Sequence, residues 1–126
     1  MRKVVSIFIN SIKMGSNARL DNICLRGSTI VLNCLKILYQ LGYIRGYCVF
    51  NSFFVVVYLK YSSNLPIFRE FYGVFSRVKA SSLIRLSLDR REFLQGFMVI
   101  SSSKGVMTDL ESIMYNIGGF ILFYIY

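Results

Sequence analysis

The sequence has no histidine, one proline (Pro66), two alanines (Ala18 and Ala80) and only 6 Asp+Glu among 126 residues. Each scarcity excludes something. Without histidine the commonest general base is missing, and so is every Ser-His or Cys-His arrangement, so hydrolytic catalysis has no constellation to run on. The cysteines, Cys24, Cys34 and Cys48, are odd in number and lack metal-ligand spacing. With no histidine to complete a zinc set, neither a metal nor a cofactor is expected, and the three thiols read as buried and free. Long apolar runs are missing too. The longest uncharged stretches lie between Arg45 and Lys60 and after Glu111, and Asn51, Ser52, Asn116, Gly118 and Gly119 interrupt them. Both fall short of the roughly 18 apolar residues of a spanning helix. MRKVVSIFIN starts basic and apolar, as a signal peptide does, but Asn10, Ser11 and Lys13 cut the run and no small-residue cleavage site follows. Scarce alanine beside 11 Phe and 9 Tyr is the usage of a strongly A+T-rich coding sequence, of which organellar genomes are one source.

What is abundant is positive charge and apolar bulk. The chain carries 15 Lys+Arg, a formal net charge of +9, and the basic residues are dispersed along it rather than gathered in a tail. A folded basic surface follows, suited to nucleic acid or to an anionic membrane. Hydrophobic content of 55% and mean hydropathy of +0.53 keep a small membrane-associated protein as the alternative reading.

Hydrophobic spacing organises the chain. Ser6, Asn10, Lys13 and Asn17 recur every three or four residues and mark one polar face of a helix over 3–14. Residues 15–22 read as a loop and 23–26 as a short strand. A second helix spans 29–41, with Ser28 or Thr29 as its N-cap and Gly42 as its C-terminal stop. Residues 44–50 and 53–60 read as a hairpin turning at Asn51-Ser52. The second strand is apolar on both faces and is expected to lie centrally with cover on each side. SSNLP, 62–66, carries turn residues and the sole proline, and so reads as a linker. It separates an α-β-α-β-β domain, 1–61, from a β-rich domain, 67–126. In the second domain 68–78 is strand or short helix, 83–88 a strand, 89–92 a charged turn and 97–101 a strand. Thr108-Asp109-Leu110-Glu111 matches a capping box and opens a short helix to Tyr115. Gly118-Gly119 is a turn, and FILFYIY is a terminal strand. The expected fold class is α+β, the first half packed against the second. Phe8, Phe54, Phe97 and Phe123 are expected in the core.

One polar stretch, SSSKGVMTD at 101–109, stands out in this apolar chain. Three hydroxyls that donate and accept suit the 2′-hydroxyls and base edges of an RNA minor groove. Lys104 suits a phosphate, and Gly105 permits close backbone approach. The same residues also suit a plain strand-to-helix connection, and spacing alone leaves both readings open. Lys104-Gly105 reverses the Gly-Lys order of a phosphate-binding loop, which excludes that motif.

SSSKGVMTD, followed by Gly118-Gly119 and a terminal aromatic strand, closely resembles the family of ribosomal protein eight of the small subunit. Its bacterial-type members read S-T-S-K-G-V-M-T-D, a short helix, G-G-E and a strand ending C-Y-V. Earlier segments agree in order: Ile9 to Lys13 stands where the family has L-T-R-I-R, Ile37 to Ile44 where it has V-L-K-E-E-G-F-I, and Leu59-Lys60-Tyr61 matches L-K-Y. Several positions depart. Lys79-Ala80-Ser81-Ser82 replaces a K-P-G or R-P-G turn, Leu86 stands nearest a stacking tyrosine, and Phe120 replaces the glutamate of G-G-E. The resemblance implies a two-part α+β fold and a non-enzymatic primary binder of the central domain of small-subunit ribosomal RNA. It also implies neighbouring small-subunit proteins, protein five foremost, and, with the composition, the mitochondrial matrix. Ser101, Ser102, Ser103, Lys104 and Gly105 are the expected RNA contacts. Lys13 of the first helix with the nearby Asn17 and Arg19, and Arg77, Lys79 and Arg85, join them as basic or polar candidates. Thr108 and Glu111 are expected as a structural cap.

Overall fold

The computed structural model describes residues 2–51, 53–82 and 96–126. The chain forms two compact units, Met1–Arg69 and Glu70–Tyr126, and the fold is α+β.

The first unit is two helices on one face of a three-stranded sheet. Helix α1 (Arg2–Asn17) buries Val5, Phe8, Ile9 and Ile12, the i, i+3, i+4, i+7 stripe of an amphipathic helix. It runs three residues beyond the expected end at 14. Gly15 lets this last turn pack closely on the adjoining strand, because a Cβ there would stand 2.6 Å from Ile23 Cγ2. Helix α2 (Thr29–Leu41) is capped by Ser28, whose hydroxyl accepts from the Val31 amide at 3.4 Å. It ends at Gly42, φ +84, with the Gly42 and Tyr43 amides on the carbonyls of the last turn, a stop that glycine makes without strain.

Strands β1 (Asn22–Arg26), β2 (Ile44–Val49) and β3 (Phe54–Leu59) form the sheet in the antiparallel order β1-β3-β2. Strand β3 is central as expected, but only one of its faces is covered. Val55, Val57 and Leu59 are buried under the helices, while Phe54 and Tyr58 are 45% and 38% exposed. A run of apolar residues therefore hid an ordinary one-sided strand, and Phe54 is not a core residue. The expected linker is also structured. Tyr61–Ser62 (β4) pairs with Leu65–Pro66 (β5) around Ser63 and Asn64, both at positive φ (52 and 64). That is the mirror-image turn whose twist suits a two-residue hairpin.

The second unit is a four-stranded antiparallel sheet. Its strands are β6 (Phe71–Val78), β7 (Phe97–Ser102), β8 (Gly105–Thr108) and β9 (Gly119–Ile125), in the order β6-β9-β7-β8. A short helix α3 (Asp109–Tyr115) links β8 to β9. Central strand β9 buries Ile121 to Ile125 consecutively, so both of its faces are covered. Met98, Ile100, Ile121 and Tyr124 form one core cluster. Phe71 and Phe123 pack with ring centroids 5.1 Å apart, inside the range of favourable aromatic pairs. Strand β6 settles the strand-or-helix alternative at 68–78. It is irregular between Gly73 and Ser76, where Phe75 takes φ +53 and its ring fills the space a Cβ on Gly73 would need. The strand and charged turn expected at 83–92, with Arg85 and Leu86, lie outside the described residues. Among the described residues no helix is long and apolar enough to cross a membrane.

Candidate nucleic-acid interface

The polar stretch at 101–105 is the tip of a hairpin, not a strand-to-helix loop. Ser101 and Ser102 end β7, Gly105 starts β8, and the ladder pairs Ser101 with Val106 and Ser102 with Gly105. Only Ser103 and Lys104 form the turn. Gly105 sits at φ +111, and a Cβ there would meet nothing within 4 Å, so the glycine is required by backbone conformation alone.

The three serines have different tasks. Ser102 Oγ accepts from the Lys104 amide at 3.3 Å and donates to the Gly105 carbonyl at 3.0 Å. Its hydroxyl holds the turn shut, a use typical of serine in tight turns. Ser101 is half-buried, with its backbone in the ladder. Ser103 is exposed at the apex, and its hydroxyl has no partner among the described residues. Ser103 thus presents an open hydroxyl on a braced turn.

Lys104 is exposed and sits over an aromatic ring. Its Nζ lies 5.4 Å from the centre of the Tyr115 ring, a cation–π arrangement at the end of α3. Tyr115 is 55% exposed and belongs to the site, though spacing gave no sign of it. Helix α3 brings it there, packed against β7 and β8. At the start of α3, Thr108 Oγ1 accepts from the Glu111 amide at 3.4 Å, as the capping box demands. Glu111 Oε1 accepts from the Thr108 hydroxyl at 3.5 Å, and Thr108 is also the last residue of β8, paired with Val99.

Register extends the site across the sheet. Arg77 on β6 pairs with Phe120 on β9, and Phe120 pairs with Ser101 on β7. Strand spacing places Arg77 and Ser101 about 10 Å apart in one row, with Phe120 between them. The strands pack so closely that a Cβ on Gly119 would stand 2.4 Å from the Ser101 carbonyl oxygen. Arg77 and Lys79 are exposed at this end of the sheet. Cations, an aromatic ring and a hydroxyl-bearing tip therefore converge on one edge of the second unit.

Lys13, Asn17 and Arg19 belong to the first unit. Lys13 and Asn17 are one turn apart on α1, and Arg19 follows in the left-handed region at φ +58. The loop that carries Arg19 is braced from below. Tyr61 Oη donates to the Leu20 carbonyl at 2.6 Å, and Arg45 donates through Nε to the Leu59 carbonyl and through its guanidinium to the Asp21 carbonyl. Burial raises the Tyr61 phenol above its usual pKa and the Asp21 charge adds to it, against a lowering from Arg19 and Arg45, so it stays a donor. Arg45 is exposed and also braces this loop, a role that charge counting does not show.

Comparison with known proteins matches the model of the family described as Ribosomal protein S8 to residues 4–126. The chain belongs to that family. The small ribosomal subunit protein uS8m of Acanthamoeba castellanii is 35% identical over 92% of this chain and 93% of its own length. The uS8 proteins of Chlorobaculum tepidum and of Rhodopseudomonas palustris (strain BisA53) are 30% and 29% identical, each over 97% of the chain. Membership makes the chain a structural component of the small ribosomal subunit, in a family that is structural rather than catalytic. Among the described residues no group of three or more His, Cys, Asp or Glu could hold a metal.

Proposed function

We propose that the chain is a primary binder of the central domain of small-subunit ribosomal RNA in a mitochondrial ribosome, with small-subunit protein five as a neighbour. The observation that carries this reading is the β7–β8 tip. Its shape is locked by Ser102 and Gly105, so the Ser103 hydroxyl is held out in advance rather than ordered on binding. A preorganised hydroxyl suits the shallow RNA minor groove, where 2′-hydroxyls and base edges are displayed. Lys104, Arg77 and Lys79 supply the phosphate contacts on the same edge, and Lys13 and Arg19 supply others from the first unit. The mitochondrial assignment is supported by the Phe- and Tyr-rich composition and by similarity to the Acanthamoeba protein.

Filter binding to the chain's own small-subunit RNA across a salt series tests the reading. Ser103→Ala is expected to weaken specific binding several-fold and leave binding to unrelated RNA unchanged. Lys104→Ala is expected to reduce the slope of log affinity against log salt by about 1. An affinity equal for own and unrelated RNA overturns the proposal.

A further inference from the structure

The helices cover one face of the β1-β3-β2 sheet, and the other face leaves Phe54 and Tyr58 exposed. Its outward positions on β3 are Phe54, Val56 and Tyr58. The two rings are four residues apart, about 13 Å along the strand. Arg26 on β1 stands opposite Phe54, and the Arg45 guanidinium lies 5.9 Å from the centre of the Tyr58 ring. Gly46 on β2 stands opposite Tyr58, and a Cβ there would meet nothing within 4 Å, so that flank of the ring is open. Cys24 and Cys48 flank Val56 in register, and no outward position of the three strands is a carboxylate. The face therefore offers two exposed aromatic rings on the central strand, one with a guanidinium over it and one with an arginine as its cross-strand partner.

From this we infer a second RNA-binding surface, on which unpaired nucleotides stack their bases against Phe54 and Tyr58 while Arg26 and Arg45 meet the backbone phosphates. The inference rests on the reading that the partner is small-subunit RNA, and it names which part of that RNA this face takes. The chemistry differs from that of the hairpin tip. Hydroxyls read the groove of a duplex, whereas aromatic rings on a sheet need bases that are splayed out of one. Charge complementarity selects RNA over an apolar protein partner: the face carries cations at both rings and no compensating acid in a chain of net charge +9.

The test uses the full chain and a fluorescein-labelled oligouridylate of about ten residues, a length that spans both rings. Phe54→Ala and Tyr58→Ala are each expected to weaken its binding about 5- to 100-fold. Phe54→Leu keeps the apolar bulk but not the stacking surface, and is expected to weaken binding comparably. Ile7→Ala, at an exposed position of α1, is expected to leave it unchanged. Unaltered affinity in the Phe54→Ala/Tyr58→Ala double variant overturns the inference. Full affinity in Phe54→Leu overturns it in favour of an apolar, protein-docking face. Cross-linking of 4-thiouridine oligomers to the unsubstituted chain gives an answer independent of variant folding: adducts on β3 support the inference, and adducts confined to other strands overturn it. Failure of the parent reading has its own signature, equal affinity for own and unrelated small-subunit RNA, which Phe54 and Tyr58 do not govern.

Discussion

Cys34 lies fully buried on the inner face of α2, and burial pushes its thiol from 9.0 up to about 12. Cys24 and Cys48 are exposed, contrary to the expectation that all three thiols are buried. The reason is register: both flank Val56 on the outward face of the sheet, and composition carries no information about which face a strand residue takes. Iodoacetamide is expected to modify Cys24 and Cys48 in the native protein and Cys34 only on unfolding, as read by mass spectrometry. The Cys34 shift also has a stability consequence. Above its ordinary pKa the unfolded thiol loses its proton while the folded one keeps it, so the folded state binds more protons. The stabilisation is complete below 9.0 and is lost as pH rises from there toward about 12. In urea unfolding, any advantage of the unsubstituted chain over Cys34→Ala should therefore shrink from about pH 8 to about pH 11.

At the scale of elements, α3 has only 7 residues, too short to persist alone, so its ends matter. Thr108 caps the start. Asn116, φ +54, caps the end with its amide on the Ile113 and Ser112 carbonyls, and the Ile117 amide meets the Ser112 carbonyl. Thr108→Ala is expected to cost about 1 kcal/mol in urea unfolding and to speed amide exchange over 112–115. Because α3 holds Tyr115 under Lys104, RNA affinity should fall as well. The helix start was legible in Thr108 to Glu111, since a capping box is a local pattern. Strand β8 was not. GVMT is too short to show a period, and it is a strand only because β7 pairs with it.

Across the whole molecule, large apolar side chains remain at the surface, Phe50, Phe53, Met14, Ile7 and Met114 among them, at 57–76% exposure. Such a surface suits a subunit that RNA and neighbours cover. The isolated protein is expected to self-associate at low salt in light scattering, and its own small-subunit RNA to suppress this. A monodisperse free protein would contradict the expectation.

What the sequence determined by itself is whatever depends on neighbours along the chain: both long helices and their caps at Ser28 and Gly42, the capping box, the excess of positive charge, and the SSSKGVMTD segment that carries the family. These are local in origin, set by side-chain period, dihedral preference and composition. Tertiary structure decided everything that depends on pairing across the chain. It opened one face of β3, turned 62–66 from linker into hairpin, set Arg45 beneath the Arg19 loop and aligned Arg77, Phe120 and Ser101 in a row. It also divided the serines into one that holds the turn and one that is presented, since only the β7–β8 register determines which hydroxyl the turn consumes.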